Sequence, residues 1–284
     1  MTTNKDFILK QARYDLMQLL EILFNKKDIS RINSKVTYSF LIAQTKDFVD
    51  IVLCNKNHII SSICKSDTLD DYTIGHSINV CMISILIGNL MGFSDDKMLE
   101  LALSSLLHDI GKRLTPKELI FKDGRLTETE FDILKKHPSN GADLISSIYP
   151  ETSEHIIRGI SEHHERMDGN GYPFGLSWYD ISEYGRIIAI ADVYEAFTAL
   201  RSYHEKRTIA EGVQCIESSK GLDRNIVELF TENTVFYPAG MYVVLSDQSV
   251  AVVSNNQVGE EPDIVAPGTN NFIDIHSNKI VALL

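Results

Sequence analysis

Histidines and aspartates are concentrated in the middle of this chain, in segments that also contain glycine-rich turns. Residues 163–173 read His-His-Glu-Arg-Met-Asp-Gly-Asn-Gly-Tyr-Pro, and residues 108–112 read His-Asp-Ile-Gly-Lys. Imidazole nitrogens combined with carboxylate oxygens are the ligand mixture that suits iron, manganese or zinc. Three further candidate ligands lie outside these segments, at His76, His137 and Asp192. The sequence therefore predicts a metal site assembled from several separate segments.

Asp109 is the candidate to bridge two metal ions. Two cations held roughly 3.5–4 Å apart need shared negative charge to offset their repulsion, and such a pair can activate a water molecule between them. The adjacent His163 and His164 would point about 100° apart on a continuous helix, so both reach one site only if the helix ends there. The glycine turn that follows Asp168 predicts such an end. We expect Asp168 itself to cap backbone N–H groups instead of binding metal.

Composition restricts the classes of protein to which this chain can belong. Its 284 residues, 44% apolar and 23% charged, are enough to bury a full hydrophobic core. A formal net charge of −12 argues against a nucleic-acid polymer as the main partner, because phosphate-binding surfaces are normally basic. The four cysteines have no paired spacing, so the sequence predicts neither a disulfide framework nor a thiolate zinc site.

No segment of the sequence is predicted to enter a membrane. Residues 1–10 are polar and charged and do not resemble a secretory signal. The longest apolar run, residues 78–93, is broken by polar residues and is shorter than the roughly 20 residues of a membrane span. We expect a buried helix there, and a cytoplasmic protein.

Hydrophobic periodicity predicts a mainly α protein with a small β appendage at its C-terminal end. Apolar residues recur at helical spacing over residues 6–25 and again over residues 40–54. After residue 230 the pattern changes to short β-prone runs at 241–245, 249–253 and 272–275, separated by Asp, Asn, Gly and Pro.

Two predicted helices place candidate ligands near their ends. Ser94 is the predicted N-cap of a helix that ends at Gly111, which puts His108 and Asp109 in its last turn. Residues 153–165 are predicted to form a second helix, which ends in the glycine turn.

Two more predicted helices carry the remaining ligands of this region. The spacing of Thr127 and Glu130 predicts a capping box, which opens a helix that runs until Pro138 interrupts it. His137 would then lie at a helix terminus. Residues 187–200 are predicted to form the helix that contains Asp192.

These motifs resemble the HD-GYP family, a branch of the HD metal-dependent phosphohydrolases named for its His-Asp pair and its Gly-Tyr-Pro turn. The resemblance covers residues 71–207, and it rests on the segments 72–80, 108–112, 136–138, 163–173 and 191–194. It implies an HD-type helical bundle that hydrolyses cyclic di-GMP, a bacterial second messenger, to linear pGpG or on to GMP. Residues 237–240 and the predicted strands that follow resemble the short β extension of such domains.

The resemblance also implies a division of the chain into three parts. We predict an N-terminal helical segment at 1–65, a catalytic domain at 66–230 and a β-rich extension at 231–284. The first part is too short for an upstream sensor domain of ordinary size. Its apolar stripes predict instead that the chain forms a homodimer through the N-terminal helices.

Seven metal ligands follow from the resemblance, with Asp109 as the catalytic bridge between two divalent ions. Iron is the expected metal and manganese is the alternative. One ion would be held by His76, His108, Asp109 and Asp192, and the other by Asp109, His137, His163 and His164. Some members of the family hold a third metal through a glutamate four residues before the first histidine. Tyr72 occupies that position here, so we expect two metals.

Substrate contacts are expected from residues beyond the metal ligands. The resemblance implies that Lys112 contacts the substrate phosphate or the attacking water. Tyr172 either makes the turn rigid or contacts the substrate or a partner. Family members carry a basic pair after the final aspartate, whereas this chain has Arg201 and His204 there. Arg201 can still bind a phosphate with two hydrogen bonds, but His204 is only partly charged near neutral pH.

Two alternative functions stay open at the level of sequence. The first is a module with little turnover that binds a cyclic dinucleotide or a diguanylate cyclase partner, which the changes at Tyr72 and His204 favour. The second is a nucleotide phosphohydrolase that acts on mononucleotides, which the complete turn at 171–173 disfavours. The sequence does not separate cyclic di-GMP from cyclic GMP-AMP as the substrate.

Overall fold

Helices form most of the chain up to residue 233. A computed structural model describes residues 4–25, 37–65, 72–198, 208–258, 261–269 and 271–283. The α-helices are α1 (Asn4–Asn25), α2 (Tyr38–Cys54), α3 (Ile59–Lys65), α4 (Tyr72–Leu90), α5 (Asp95–Leu107), α6 (Lys117–Ile120), α7 (Glu128–Leu134), α8 (His137–Ile148), α9 (Glu154–Glu162), α10 (Glu183–Thr198), α11 (Ile209–Ser218) and α12 (Arg224–Asn233). Short 3-10 helices lie at Lys56–His58, Ile110–Leu114 and Trp178–Asp180.

Side-chain caps fix the starts of the helices that position the candidate ligands. Ser94 and Ser153 are N-caps whose hydroxyl oxygens accept the N–H of the third helical residue of α5 and α9. Thr127 and Glu130 form the predicted capping box at the start of α7. These caps satisfy N–H groups that have no partner inside the helix, and they confirm the predicted starts of these three helices.

Two predicted helix boundaries near the ligands are wrong. Helix α5 ends at Leu107, four residues before Gly111, and His108 is its C-cap. Pro138 does not terminate α7. It lies in the first turn of α8, where its missing N–H has no cost, and His137 is therefore the first residue of a new helix.

Helix α4 is the centre of the bundle and carries His76. It packs against α1, α2, α5, α10 and α12. Within the described residues one window, Thr73–Leu90, is long and apolar enough to cross a membrane, and 83% of it is buried inside the protein. The buried helix expected at residues 78–93 is confirmed, since this pattern is typical of a core helix.

The C-terminal part forms one antiparallel sheet in the order β4-β3-β2-β1-β5. Its strands are β1 (Tyr242–Leu245), β2 (Val250–Asn255), β3 (Asp263–Val265), β4 (Phe272–Ile273) and β5 (Ile280–Leu283). The predicted β appendage is confirmed, although β3 and β5 were not predicted. Alternate side chains such as Val243 and Val253 are fully buried and belong to the hydrophobic core cluster that also contains the helical core.

Gly111 allows the segment after His108 to lie directly against the start of α8. A Cβ atom at this position would lie 1.9 Å from the carbonyl oxygen of His137 and 2.6 Å from the backbone nitrogen of Gly141. The absence of a side chain at Gly111 therefore sets the distance between the two backbone segments that carry Asp109 and His137.

We predict that Gly111→Ala destabilises the fold and displaces His137, because two backbones must separate to admit the methyl group. Overpacking of this kind costs about 1–3 kcal/mol in the free energy of unfolding, which chemical denaturation measures. Gly141→Ala is the matched control, because its Cβ would have its nearest contact at 3.1 Å. A larger effect of Gly141→Ala than of Gly111→Ala would contradict this account.

Candidate metal centre

Asp109 lies at the centre of the candidate site, with histidines on both sides of its carboxylate. Its Oδ1 lies 3.2 Å from His137 Nε2, and its Oδ2 lies 3.6 Å from His76 Nε2 and 3.4 Å from His108 Nε2. The side chain is only 1% exposed. Lys112 approaches from the more open side, with Nζ 2.5 Å from Oδ2. The two carboxylate oxygens thus face different groups of imidazoles.

Two groups of side chains could each hold a metal ion. The first group is His76, His108 and Asp109, and the second is His137, His163 and His164. Asp192 adjoins both groups, with one oxygen 3.1 Å from His76 Nε2 and the other 3.7 Å from His164 Nδ1. All seven predicted ligands are therefore brought together in one place.

The end of α9 explains how the neighbouring His163 and His164 both reach the site. Helix α9 stops at Glu162, His163 is its C-cap, and His164 follows in a turn. The two ring centroids lie 4.2 Å apart. The expectation that the helix must end at this pair is confirmed.

Backbone carbonyls at helix ends orient three of the imidazoles. The Nδ1 atoms of His108, His137 and His163 each lie 2.7–2.8 Å from the carbonyl oxygen three residues earlier, at Ser105, Leu134 and Ile160. A carbonyl can only accept, so Nδ1 carries the proton in each of these rings. Their Nε2 lone pairs are consequently directed into the site, as metal ligation requires.

Several hydrogen-bond acceptors in this cluster do not face a hydrogen-bond donor. His137 Nε2 and His163 Nε2 face each other at 3.3 Å, and both rings carry their proton on Nδ1. Among the described residues, His108 Nε2 and Asp109 Oδ1 are buried without a hydrogen-bond partner. Buried acceptors that face one another are unfavourable unless a cation or a hydrogen-bond donor lies between them. The side chains present therefore fit divalent metal ions.

The electrostatics at His163 and Asp109 favour the protonation states that bind metal. Burial lowers the pKa of His163 well below its usual value, and the neighbouring histidines add to this effect. Burial would raise the pKa of Asp109, but Lys112 and His108 reverse the shift and hold it well below the usual value. A neutral imidazole and an ionised carboxylate are the forms that donate electron pairs to a metal ion.

His76 is held differently, by side chains that the sequence analysis missed. Its Nδ1 lies 2.5 Å from Oε2 of Glu195, and Oε1 of Glu195 accepts a hydrogen bond from Asn79 Nδ2 at 2.8 Å. Burial opposes protonation of His76, but Glu195 and Asp192 raise its pKa well above the usual value. Helical spacing could have revealed these residues, because Asn79 lies three residues after His76 and Glu195 three after Asp192.

The Gly-Tyr-Pro turn covers one side of the site. The Tyr172 ring lies 4.6 Å from that of His164, at an interplanar angle of 33°. The buried Glu165, also missed by the sequence analysis, accepts hydrogen bonds from the N–H groups of Phe174 at 2.6 Å and Leu176 at 2.9 Å. Asp168 accepts the N–H of Asn170, which confirms its expected capping role.

Three of the residues discussed in the sequence analysis fall wholly or partly outside the described part of the chain. Arg201 and His204 lie outside the described residues, as does the side chain of Tyr72. Lys112, a predicted substrate contact, lies beside the predicted metal ligand Asp109, and its side chain is 25% exposed.

A model of the family described as HD domain matches residues 54–226. This is more than half of the chain, which therefore belongs to the HD domain family. The predicted membership of its HD-GYP branch is also confirmed, because the curated relatives include cyclic di-GMP phosphodiesterases.

A cyclic di-GMP phosphodiesterase of Pseudomonas aeruginosa is 35% identical over 216 residues, 74% of this chain and 52% of the relative. The 3′3′-cGAMP-specific phosphodiesterase 1 of Vibrio cholerae is 32% identical over 174 residues, 60% of this chain and 40% of the relative. An HDG"Y"P protein of Bdellovibrio bacteriovorus has a similar fold, with a TM-score of 0.65 and 18% identity over 81% of this chain and 72% of its own. The chain spans about half the length of the curated relatives it matches.

We predict that Glu165→Gln loosens the Gly-Tyr-Pro turn. In the native protein each of the two carboxylate oxygens accepts one backbone N–H group, whereas the glutamine amide has a single acceptor oxygen for both. Leaving a buried N–H without its partner costs about 1–3 kcal/mol. Denaturant unfolding measures this loss, and hydrogen exchange should accelerate at the amides of Phe174 and Leu176.

Asp168→Asn is the matched control for this prediction. An asparagine oxygen can still accept the N–H of Asn170, and the position is exposed, so a change within about 0.5 kcal/mol is expected. Equal effects of the two substitutions would show that the carboxylate of Glu165 has no special role in holding the turn.

Proposed function

We propose that this chain is a metal-dependent phosphodiesterase that hydrolyses cyclic di-GMP to linear pGpG, to GMP, or to both. The observation that carries the proposal is the Asp109 carboxylate, which presents one oxygen to His137 and the other to His76 and His108. The names of the relatives support the same reaction class, since they are phosphodiesterases that act on cyclic dinucleotides.

The residues that would hold the metals are the seven predicted ligands. His76, His108, Asp109 and Asp192 would hold one ion, while Asp109, His137, His163 and His164 would hold the other. We propose iron as the physiological metal and manganese as the alternative, because imidazole and carboxylate donors suit both. When bound, such ions polarise a phosphoryl oxygen and supply a nucleophile at neutral pH.

Lys112 and Tyr172 would act directly on the substrate. Lys112 carries its positive charge at the open side of Asp109, where it can stabilise the negative charge that develops on the phosphoryl oxygens. Tyr172 covers His164 and limits the access of bulk water, which strengthens electrostatic interactions inside the site. Arg201 and His204 remain predicted substrate contacts.

The second candidate substrate is cyclic GMP-AMP, because one of the relatives is named as specific for 3′3′-cGAMP. A module that binds a cyclic dinucleotide with little turnover remains the alternative function. The cytoplasmic location, the homodimer, the diguanylate cyclase partner and the three-part division of the chain stay predictions from the sequence.

The test is to purify the protein without oxygen, measure its metal content, and incubate it with cyclic di-GMP and separately with 3′3′-cGAMP. Two metal ions per chain and linear products from cyclic di-GMP are expected. Faster hydrolysis of 3′3′-cGAMP would reassign the substrate, and metal binding without products would favour the binding module. Hydrolysis of mononucleotides instead would contradict the proposal.

Asp109→Ala should abolish metal retention at both sites and reduce hydrolysis by at least about 100-fold, because both ions lose their shared ligand. The helical circular dichroism signal should persist, since the hydrophobic core is unchanged. Asp143→Ala is the matched control, an exposed aspartate on α8 that should leave both properties unaltered. An active, metal-replete Asp109→Ala protein would overturn the ligand assignment.

A further inference from the structure

Glu195 is a buried carboxylate with no role in the proposed reaction so far. It lies on α10, three residues after Asp192, and is 1% exposed. Its two oxygens have different partners, His76 Nδ1 at 2.5 Å and Asn79 Nδ2 at 2.8 Å. An ionised group of this kind is costly to bury unless its interactions are well formed, so this position calls for a specific function.

The contact with His76 determines which nitrogen of that imidazole faces the candidate ligands. A carboxylate oxygen accepts the proton of Nδ1, which leaves the Nε2 electron pair on the side of Asp192, at 3.1 Å, and of Asp109, at 3.6 Å. His108, His137 and His163 obtain the same orientation from backbone carbonyls. Glu195 therefore plays for His76 the part that a backbone carbonyl plays for each of these three histidines.

Asn79 clamps Glu195 in this orientation. His76, Asn79 and Met82 follow one another at intervals of three residues and so share one face of α4. At the far end of this row, the buried guanidinium of Arg13 on α1 donates a hydrogen bond to Met82 Sδ at 3.0 Å. Burial lowers the pKa of Arg13 to about 10, and the negative charge of Glu195 opposes this shift. Glu195 thus contacts the His76 imidazole and the Asn79 amide, and it interacts electrostatically with the buried guanidinium of Arg13.

We propose that Glu195, held by Asn79, is a positioning residue that orients His76 Nε2 for metal binding. The inference rests on the proposed function in one respect, namely that His76 binds a metal ion. Its consequence is selective, because Glu195 contacts a ligand of only one of the two proposed metal positions. Loss of Glu195 should weaken one metal position and spare the other.

The test is calorimetric titration of metal-free protein with Mn²⁺ alone, without any nucleotide. Glu195→Gln should weaken binding at one position by about 10–100-fold and leave the other within about threefold, as found for carboxylates behind metal-binding histidines. Glutamine fits the same space but lacks the charge, and either its weaker amide oxygen or its N–H₂ group then faces His76 Nδ1, so the Nδ1 proton is held less firmly. Because glutamine fits the same space, Glu195→Gln is expected to stay folded.

A double-mutant cycle separates positioning from general structural support. If Asn79 acts by holding Glu195, then Asn79→Leu should weaken Mn²⁺ binding in the native background and add little in the Glu195→Gln background. Full additivity of the two effects would overturn the proposed clamp. Glu183→Gln is the matched control, since it lies on the same helix and pairs with Lys97 on the surface. It should leave both Mn²⁺ affinities within about twofold of the native protein.

The outcomes distinguish the two proposals. Native Mn²⁺ affinities in Glu195→Gln would refute the positioning role, whatever the substrate is. A native protein that binds Mn²⁺ but hydrolyses no cyclic dinucleotide would refute the proposed function and leave the role of Glu195 intact. Equal weakening at both metal positions would also overturn the inference, because a general loss of structure would then explain it.

Discussion

The gathering of hydrogen-bond acceptors around one buried carboxylate is the constraint on which the rest of this structure depends. Asp109 and the Nε2 atoms of His108, His137 and His163 face one another where water is largely excluded. Burial of these groups is unfavourable without a compensating positive charge, and Lys112 reaches only one edge of the cluster. The fold must therefore hold the cluster together by packing elsewhere, above all along the buried helix α4.

Helix ends orient three histidines of this cluster and at the same time give backbone carbonyl groups a hydrogen-bond partner. The last carbonyl groups of a helix lack partners within the helix. In α5, α7 and α9 such a carbonyl accepts the Nδ1 proton of a histidine that lies just beyond the helix. One hydrogen bond thus satisfies an orphan carbonyl and directs Nε2 toward the site. Because the acceptor belongs to the backbone, the imidazole orientation follows from where each helix stops.

The sequence predicted which side chains gather at the site better than it predicted the contacts that hold them. Local signals such as the Ser94 cap and the box at Thr127 fixed helix starts, whereas α9 ends at Glu162, three residues before the predicted end. Helix ends were harder: α5 stops at Leu107, and the chain that follows packs Gly111 against α8, a tertiary contact that no local pattern reveals. Glu165 and Glu195 were missed for the same reason: their roles depend on partners 9 to 119 residues away.

The histidines of the centre differ in how their orientation can be altered. His108, His137 and His163 are oriented by main-chain carbonyls, which no side-chain substitution removes. His76 is oriented by Glu195 and Asn79, so this side of the site can be changed by single substitutions without moving a helix end. The α4 face that carries His76 also contacts Arg13 on α1, through Met82. Arg13 lies outside the residues 54–226 that define the family match. Variation in the properties of such a centre should therefore be sought first on the His76 side, where its support depends on side chains and on the N-terminal helix.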